Sequence, residues 1–136
     1  MIQDQYILDH NRAKIVLDSI METSSYRQWN LLAVHVRSTH IHVVIQALVA
    51  SEKVMNDLKS YASRSLNNAG FENSDRKRWT RHGSTKYLWK VNDLENTIHY
   101  VLHEQGDPMA VYENRCMDFE KIFINQKAAV SLLHGS

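Results

Sequence analysis

Residues 29–48 read WNLLAVHVRSTHIHVVIQAL. Two runs rich in β-formers, Trp29–Arg37 and His40–Leu48, are separated only by Ser38-Thr39. Such a pair predicts a β-hairpin with a two-residue turn, although this turn lacks the glycine that tight hairpins favour. The register then follows. Arg37 stands opposite His40 and His35 opposite His42, and cross-strand partners share a face. Side chains alternate along a strand, so His40 and His42 point one way and Ile41 the other. Two residues rise roughly 6.6 Å, which brings both imidazoles within reach of one metal ion. One face thus gathers three histidines and an arginine, a costly set to bury unpaired. A metal ion with a bound phosphate satisfies it, and so does a half-exposed polar face.

Helical patterns flank the hairpin. In residues 8–23, Ile15, Val16, Ser19 and Ile20 recur at helical spacing, and Asp9 is placed to cap. In residues 51–69, Ser51 is a good N-cap and Gly70 a natural stop. Val54, Met55, Leu58, Tyr61, Ala62, Ser65 and Leu66 form the apolar stripe of that second helix. Residues 71–78 make a polar loop, and 79–90 (WTRHGSTKYLWK) a further strand pair or extended ribbon. A third helix over 93–105 is capped by Asn92 and sealed by Gly106 and Pro108. In the tail, 109–136, the stretch MDFEKIFINQKAAVSLL has the pattern of a fourth, amphipathic helix. The order predicts one α+β domain over 1–136, an antiparallel sheet with helices mainly on one face.

Composition narrows the class. With 136 residues the chain has one domain's worth of core. A single cysteine, Cys116, excludes an internal disulfide framework and a cysteine-based zinc cluster. Apolar runs such as 43–45 and 47–50 are far short of a membrane span, and the N-terminus has no signal-peptide pattern. A cytoplasmic location without membrane contact is expected. The net charge is only +1, but it is uneven. Between Lys53 and Lys90 nine Lys/Arg face three Asp/Glu, whereas the remainder has seven against twelve. That basic middle reads either as a solvated surface or as a polyanion footprint.

Tyr100 lies within the third helical pattern, with His103 and Glu104 on its face and Gln105 one step round. A tyrosine hydroxyl beside potential metal ligands suits a nucleophile, since its pKa near 10 calls for a nearby Lewis acid. The same residue also suits ordinary packing beside Ile98, Val101 and Leu102.

Taken together, HIHVVI, a helix, a basic-aromatic segment and then a helix with YVLHEQG resemble the single-tyrosine HUH transposases. The likeness runs from about Tyr6 to Tyr112, and includes VMNDLKSYASRSLN, RWTRHGSTKYLW and IHYVLHEQGDPMAVYE. It implies a ferredoxin-like or RRM-like sheet, single-stranded or hairpin DNA as partner, a homodimer, and no organic cofactor. His40 and His42 would hold Mg²⁺ or Mn²⁺. Tyr100 would attack a DNA phosphodiester, leaving a 5′-phosphotyrosine and a free 3′-OH. The third ligand is Glu104 by strict spacing and Gln105 by residue type, with Gln105 favoured slightly. Lys59, Arg64, Arg76, Lys77, Arg78, Arg81, His82 and Lys86 would track the DNA. Trp79, Tyr87 and Trp89 would stack bases, with a core role for the two tryptophans as the competing reading.

Two departures stand out. Thr39 takes the place of an Asn usual before the first histidine. The family's opening strand, central in its sheet, has no convincing counterpart in MIQDQYI. Truncation, residues 109–136 or a partner chain would each account for the gap. A non-catalytic DNA binder and a DNA-independent hydrolase using His35, His40 and His42 remain the alternatives to a nicking and joining enzyme.

Overall fold

The computed structural model describes residues 5–79, 85–88, 90–115 and 127–134. The chain runs α1 (His10–Arg27), β1 (Asn30–Val36), β2 (His40–Ala47), α2 (Ser51–Asn68), β3 (Thr85–Leu88), α3 (Val91–His103), β4 (Ala110–Glu113), β5 (Lys127–His134). All strand pairs are antiparallel, in the order β3-β5-β2-β1-β4. This is the α+β architecture that the sequence predicts.

The hairpin register is the expected one. His35 pairs with His42 and Val36 with Ile41, and the Arg37 amide donates to the His40 carbonyl at 2.8 Å. One irregularity was not legible in the sequence. The register shifts between Leu31 and Ala33, so Leu32 and Ala33 both reach the same apolar cluster. Such a bulge resets the alternation of a strand. Here it lets Leu31 at one end, and Val34 and Val36 at the other, join the cluster on the opposite face.

The two clusters define the layers. Val34, Val36, Ile41, Val43 and Ile45 pack with Ala13, Val16 and Ile20 of α1 and with Val54, Leu58, Ala62 and Leu66 of α2. Leu32, Ala33, Val44 and Leu88 pack with Leu94, Ile98 and Val101 of α3. Each fully buried Leu or Ile adds about 1.5–3 kcal/mol of transfer free energy. Two helices therefore cover one face and α3 lies across the other. Ahead of α1, Tyr6 and Leu8 are buried without forming a strand, and the Leu8 amide donates to the Ser38 carbonyl at 2.8 Å.

The central slot is filled from the other end of the chain. β5 pairs with β2 along its whole length, from His40↔His134 to Ala47↔Lys127, and with β3 on its other side. Of the three accounts of the missing strand, residues within 109–136 supply the pairing. This overturns the C-terminal part of the predicted fourth helix, 117–133: 127–134 form a strand, because an open ladder outweighs a weak amphipathic pattern. Residues 117–126 of that stretch lie outside the described residues.

Two local expectations about helix caps also need correction. Asp9 caps α1 as predicted, its side chain accepting from the Arg12 amide at 2.8 Å. Ser51, however, is inside α2, whose N-cap is Ala50 with no side-chain bond. The Ser51 amide instead donates to the Tyr87 hydroxyl at 2.9 Å. Asn92 likewise sits within α3, whose N-cap is Lys90, again with no side-chain bond. Within the predicted strand pair or extended ribbon of 79–90, 85–88 form a strand that pairs with β5; 80–84 and 89 lie outside the described residues.

Candidate nucleic-acid interface and metal-ligand face

His40 and His42 flank Ile41, which is wholly buried on the α1/α2 side. Alternation turns both histidines to the α3 side. Their ring centroids are 6.5 Å apart, with planes tilted by 41°. His40 is exposed and His42 half-buried.

His35, opposite His42, is fully buried. Its Nε2 lies 3.2 Å from the Gly106 carbonyl, just past the end of α3. Burial, reinforced by the Arg37 charge, holds its pKa below 6.5, although the Gly106 contact opposes this. A neutral ring donating through Nε2 fits that bond. His35 thus ties the exit of α3 to the strand beside His42. Gly106 adopts φ +82° and the Arg37 guanidinium packs on it, 3.6 Å from where a β-carbon would stand. This link joins residues 71 apart in sequence, and no local pattern announces it.

The lowered pKa has a consequence for stability. Above about pH 6.5 His35 is neutral in both folded and unfolded chains and adds no pH dependence. As pH falls below that value the unfolded chain takes up the proton first, and stability is lost. In EDTA, the urea midpoint is expected to fall between pH 7.5 and 5.5, and the slope to flatten in His35→Gln.

Tyr100 is 51% exposed on α3, flanked by Ile98 and Val101, which face the sheet. The Glu104 amide closes the helix on the Tyr100 carbonyl at 3.0 Å. Glu104 is exposed. Gln105 is half-buried, and its Nε2 has no hydrogen-bond partner among the described residues. A terminal amide can be turned over, which would present its carbonyl oxygen at that position. The two imidazoles on one face are a donor pair that suits a divalent ion. Among the described residues, no group of three His, Cys, Asp or Glu side chains converges.

The basic residues separate into distinct environments. Lys59 and Arg64 of α2 line one open depression with Ser60, Ser63, Asn67 and Trp79, in the helix layer across the sheet from the histidines. Burial lowers the pKa of Lys59. Arg64 stacks over Tyr61 at 5.2 Å and Arg76 over Tyr6 at the same distance. Lys77 is exposed. Trp79 is half-buried and donates to the Ser63 hydroxyl at 2.7 Å, so its core role is the one seen. Tyr87 accepts from Ser51. Arg81, His82 and Trp89, and the Lys86 side chain, lie outside the described residues.

Arg78 needs correction as a DNA contact. Its side chain is 1% exposed. It donates to Asn67 Oδ1 at 2.8 Å and to the Phe71 carbonyl at 2.7 Å. Nearby, Glu72 accepts from Tyr6 at 2.8 Å and from Arg12 at 2.7 Å, and Arg12 holds its carboxyl below the usual range. Arg78 therefore anchors the loop rather than a phosphate. Arg78→Ala is expected to cost roughly 2–4 kcal/mol in urea unfolding, since it removes a buried guanidinium and strands two part-buried acceptors. Lys77→Ala is expected to change stability by less than about 0.5 kcal/mol.

The family model for IS200-like transposases matches residues 3–103. The chain belongs to the IS200-like transposase family. The match spans the hairpin, both flanking helices and all of α3, so the IS200-like transposase core contains the histidine pair and Tyr100. No curated protein and no solved structure matches the chain. As a transposase it is a DNA-binding, DNA-cleaving protein in general outline. No helix among its described residues is long and apolar enough to cross a membrane.

Proposed function

We propose that this transposase nicks and joins single-stranded or hairpin DNA, with Tyr100 as the nucleophile. One observation carries the reading: α3 packs on the same sheet face to which His40 and His42 turn. Tyr100 is exposed beside the packed residues of that helix.

In the step, the Tyr100 hydroxyl oxygen attacks a backbone phosphorus and the bond to the 3′-oxygen breaks. The tyrosine proton passes through solvent to that oxygen. The products are a 5′-phosphotyrosine and a free 3′-OH, and the reverse attack by a 3′-OH rejoins strands and releases Tyr100. The phosphodiester energy is retained in the covalent link, so no nucleotide is consumed. His40 and His42, with Gln105 rather than Glu104, would hold Mg²⁺ or Mn²⁺. The ion would supply a charge that polarises the phosphate. Half-burial of Gln105 and its unsatisfied amide favour it over the exposed Glu104. His35 and Arg37 keep the exit of α3 against the sheet. Lys59, Arg64, Arg76 and Lys77 would hold DNA beyond the nicked phosphate, with Lys59 and Arg64 gripping a segment on the far side of the sheet. Arg81, His82 and Lys86 belong to the same proposed track. A homodimer forms part of this reading and is tested by sedimentation.

The test is covalent trapping. Protein is mixed with labelled single-stranded and hairpin oligonucleotides plus Mn²⁺, then run on a denaturing gel. A shifted band is expected, lost on adding EDTA and in His40→Ala/His42→Ala. Binding that weakens steeply with salt but never yields an adduct would favour a non-catalytic binder.

A further inference from the structure

We propose that His99 and His103 form a second metal site on α3, one that takes Zn²⁺ or Ni²⁺ in preference to Mg²⁺. The residues are four apart, so they share one face of the helix. Their ring centroids are 4.9 Å apart and their planes tilt by 46°. Both side chains are exposed, so an ion reaches them without disturbing the core. Imidazole nitrogen suits Zn²⁺ and Ni²⁺, whereas Mg²⁺ favours oxygen ligands and keeps its waters, and this pair, unlike His40 and His42 with Gln105, adds no side-chain oxygen. Histidines at this spacing on one helix face serve in known zinc sites.

The pair is distinct from His40 and His42. α3 turns Leu94, Ile98 and Val101 to the sheet. At about 100° per residue, His99 and His103 lie on the side of the helix away from Val101. Among the described residues no third His, Cys, Asp or Glu joins them. The protein therefore supplies two ligands and water completes the shell.

A two-point chelate across this turn has a mechanical effect. It opposes fraying of the last turn of α3, whose closing bond runs from the Glu104 amide to the Tyr100 carbonyl. An ion bound there steadies the turn that carries Tyr100. The site needs neither DNA nor the His40/His42 pair, so its test does not depend on the proposed reaction.

Calorimetric titration of ZnCl₂ into DNA-free, chelator-stripped protein tests the site. His40→Ala/His42→Ala removes the other imidazole pair and is expected to retain one saturable Zn²⁺ site, unaffected by excess MgCl₂. Adding H99Q or H103Q alone is expected to weaken it about tenfold or more, because chelation needs both rings. Circular dichroism is expected to show each Gln variant folded, since both positions are exposed. Hydrogen exchange at the Glu104 amide is expected to slow with Zn²⁺ only when both histidines are present. Absence of Zn²⁺ binding in His40→Ala/His42→Ala, or binding undiminished by H99Q and H103Q, overturns the proposal.

Discussion

Tyr100→Phe is expected to abolish the covalent protein–DNA adduct while leaving oligonucleotide affinity within about twofold. The substitution removes one oxygen and nothing else. Phenylalanine offers no lone pair to phosphorus, and no water can substitute in forming a protein–DNA bond. Half of the Tyr100 side chain is in solvent, and α3 is held by Leu94, Ile98 and Val101. The unfolding free energy should therefore move by less than about 0.5 kcal/mol. The denaturing gel reads the adduct and fluorescence anisotropy reads the affinity. An undiminished adduct in Tyr100→Phe would move the nucleophile elsewhere, with Tyr112 the first alternative to examine, since it lies half-buried on β4.

Val130→Pro is expected to cost the fold about 3 kcal/mol or more. Val130 stands in β5, paired with Val44 on one side and Lys86 on the other. Proline has no amide hydrogen, and its ring is excluded from central strands. Two ladders are disturbed at once, because β3 pairs only with β5 among the described strands. Losing β5 would also bare the edge of β2 that carries His40 and His42, an open template for pairing with another chain. The expected signature is a lower urea midpoint together with concentration-dependent association in light scattering. A proline at exposed Arg115, after β4, serves as the control and should be nearly silent. A Val130→Pro protein as stable as the parent would mean that residues 127–134 do not occupy the central slot.

These two experiments probe different sources of information. The hairpin, its two-residue turn and the pairing of His35 with His42 were legible because β-formers crowd Trp29–Leu48 and side chains alternate strictly along a strand. The stripe of α2 was legible because helical spacing is periodic and local. The nucleophile and ligand candidates were legible as residue types at fixed offsets: His40 and His42 along a strand, Tyr100 followed by Glu104 and Gln105 along a helix. Even the basic middle could be counted. Its burial could not, which is why Arg78 reads like its neighbours and yet anchors a loop.

By itself, then, the sequence determined the local elements, the hairpin face and the family to which the chain belongs. Only the tertiary structure decided which face α3 covers, that His35 ties its exit through Gly106, that a bulge at Leu32 resets the alternation of β1, and that a C-terminal strand rather than a helix completes the sheet. The reason is range. Alternation and helical period are properties of neighbours, whereas strand pairing and layer packing are settled by residues far apart in sequence, and the ladders that β2 and β3 offer outweigh the weak propensity of a segment such as Lys127–His134.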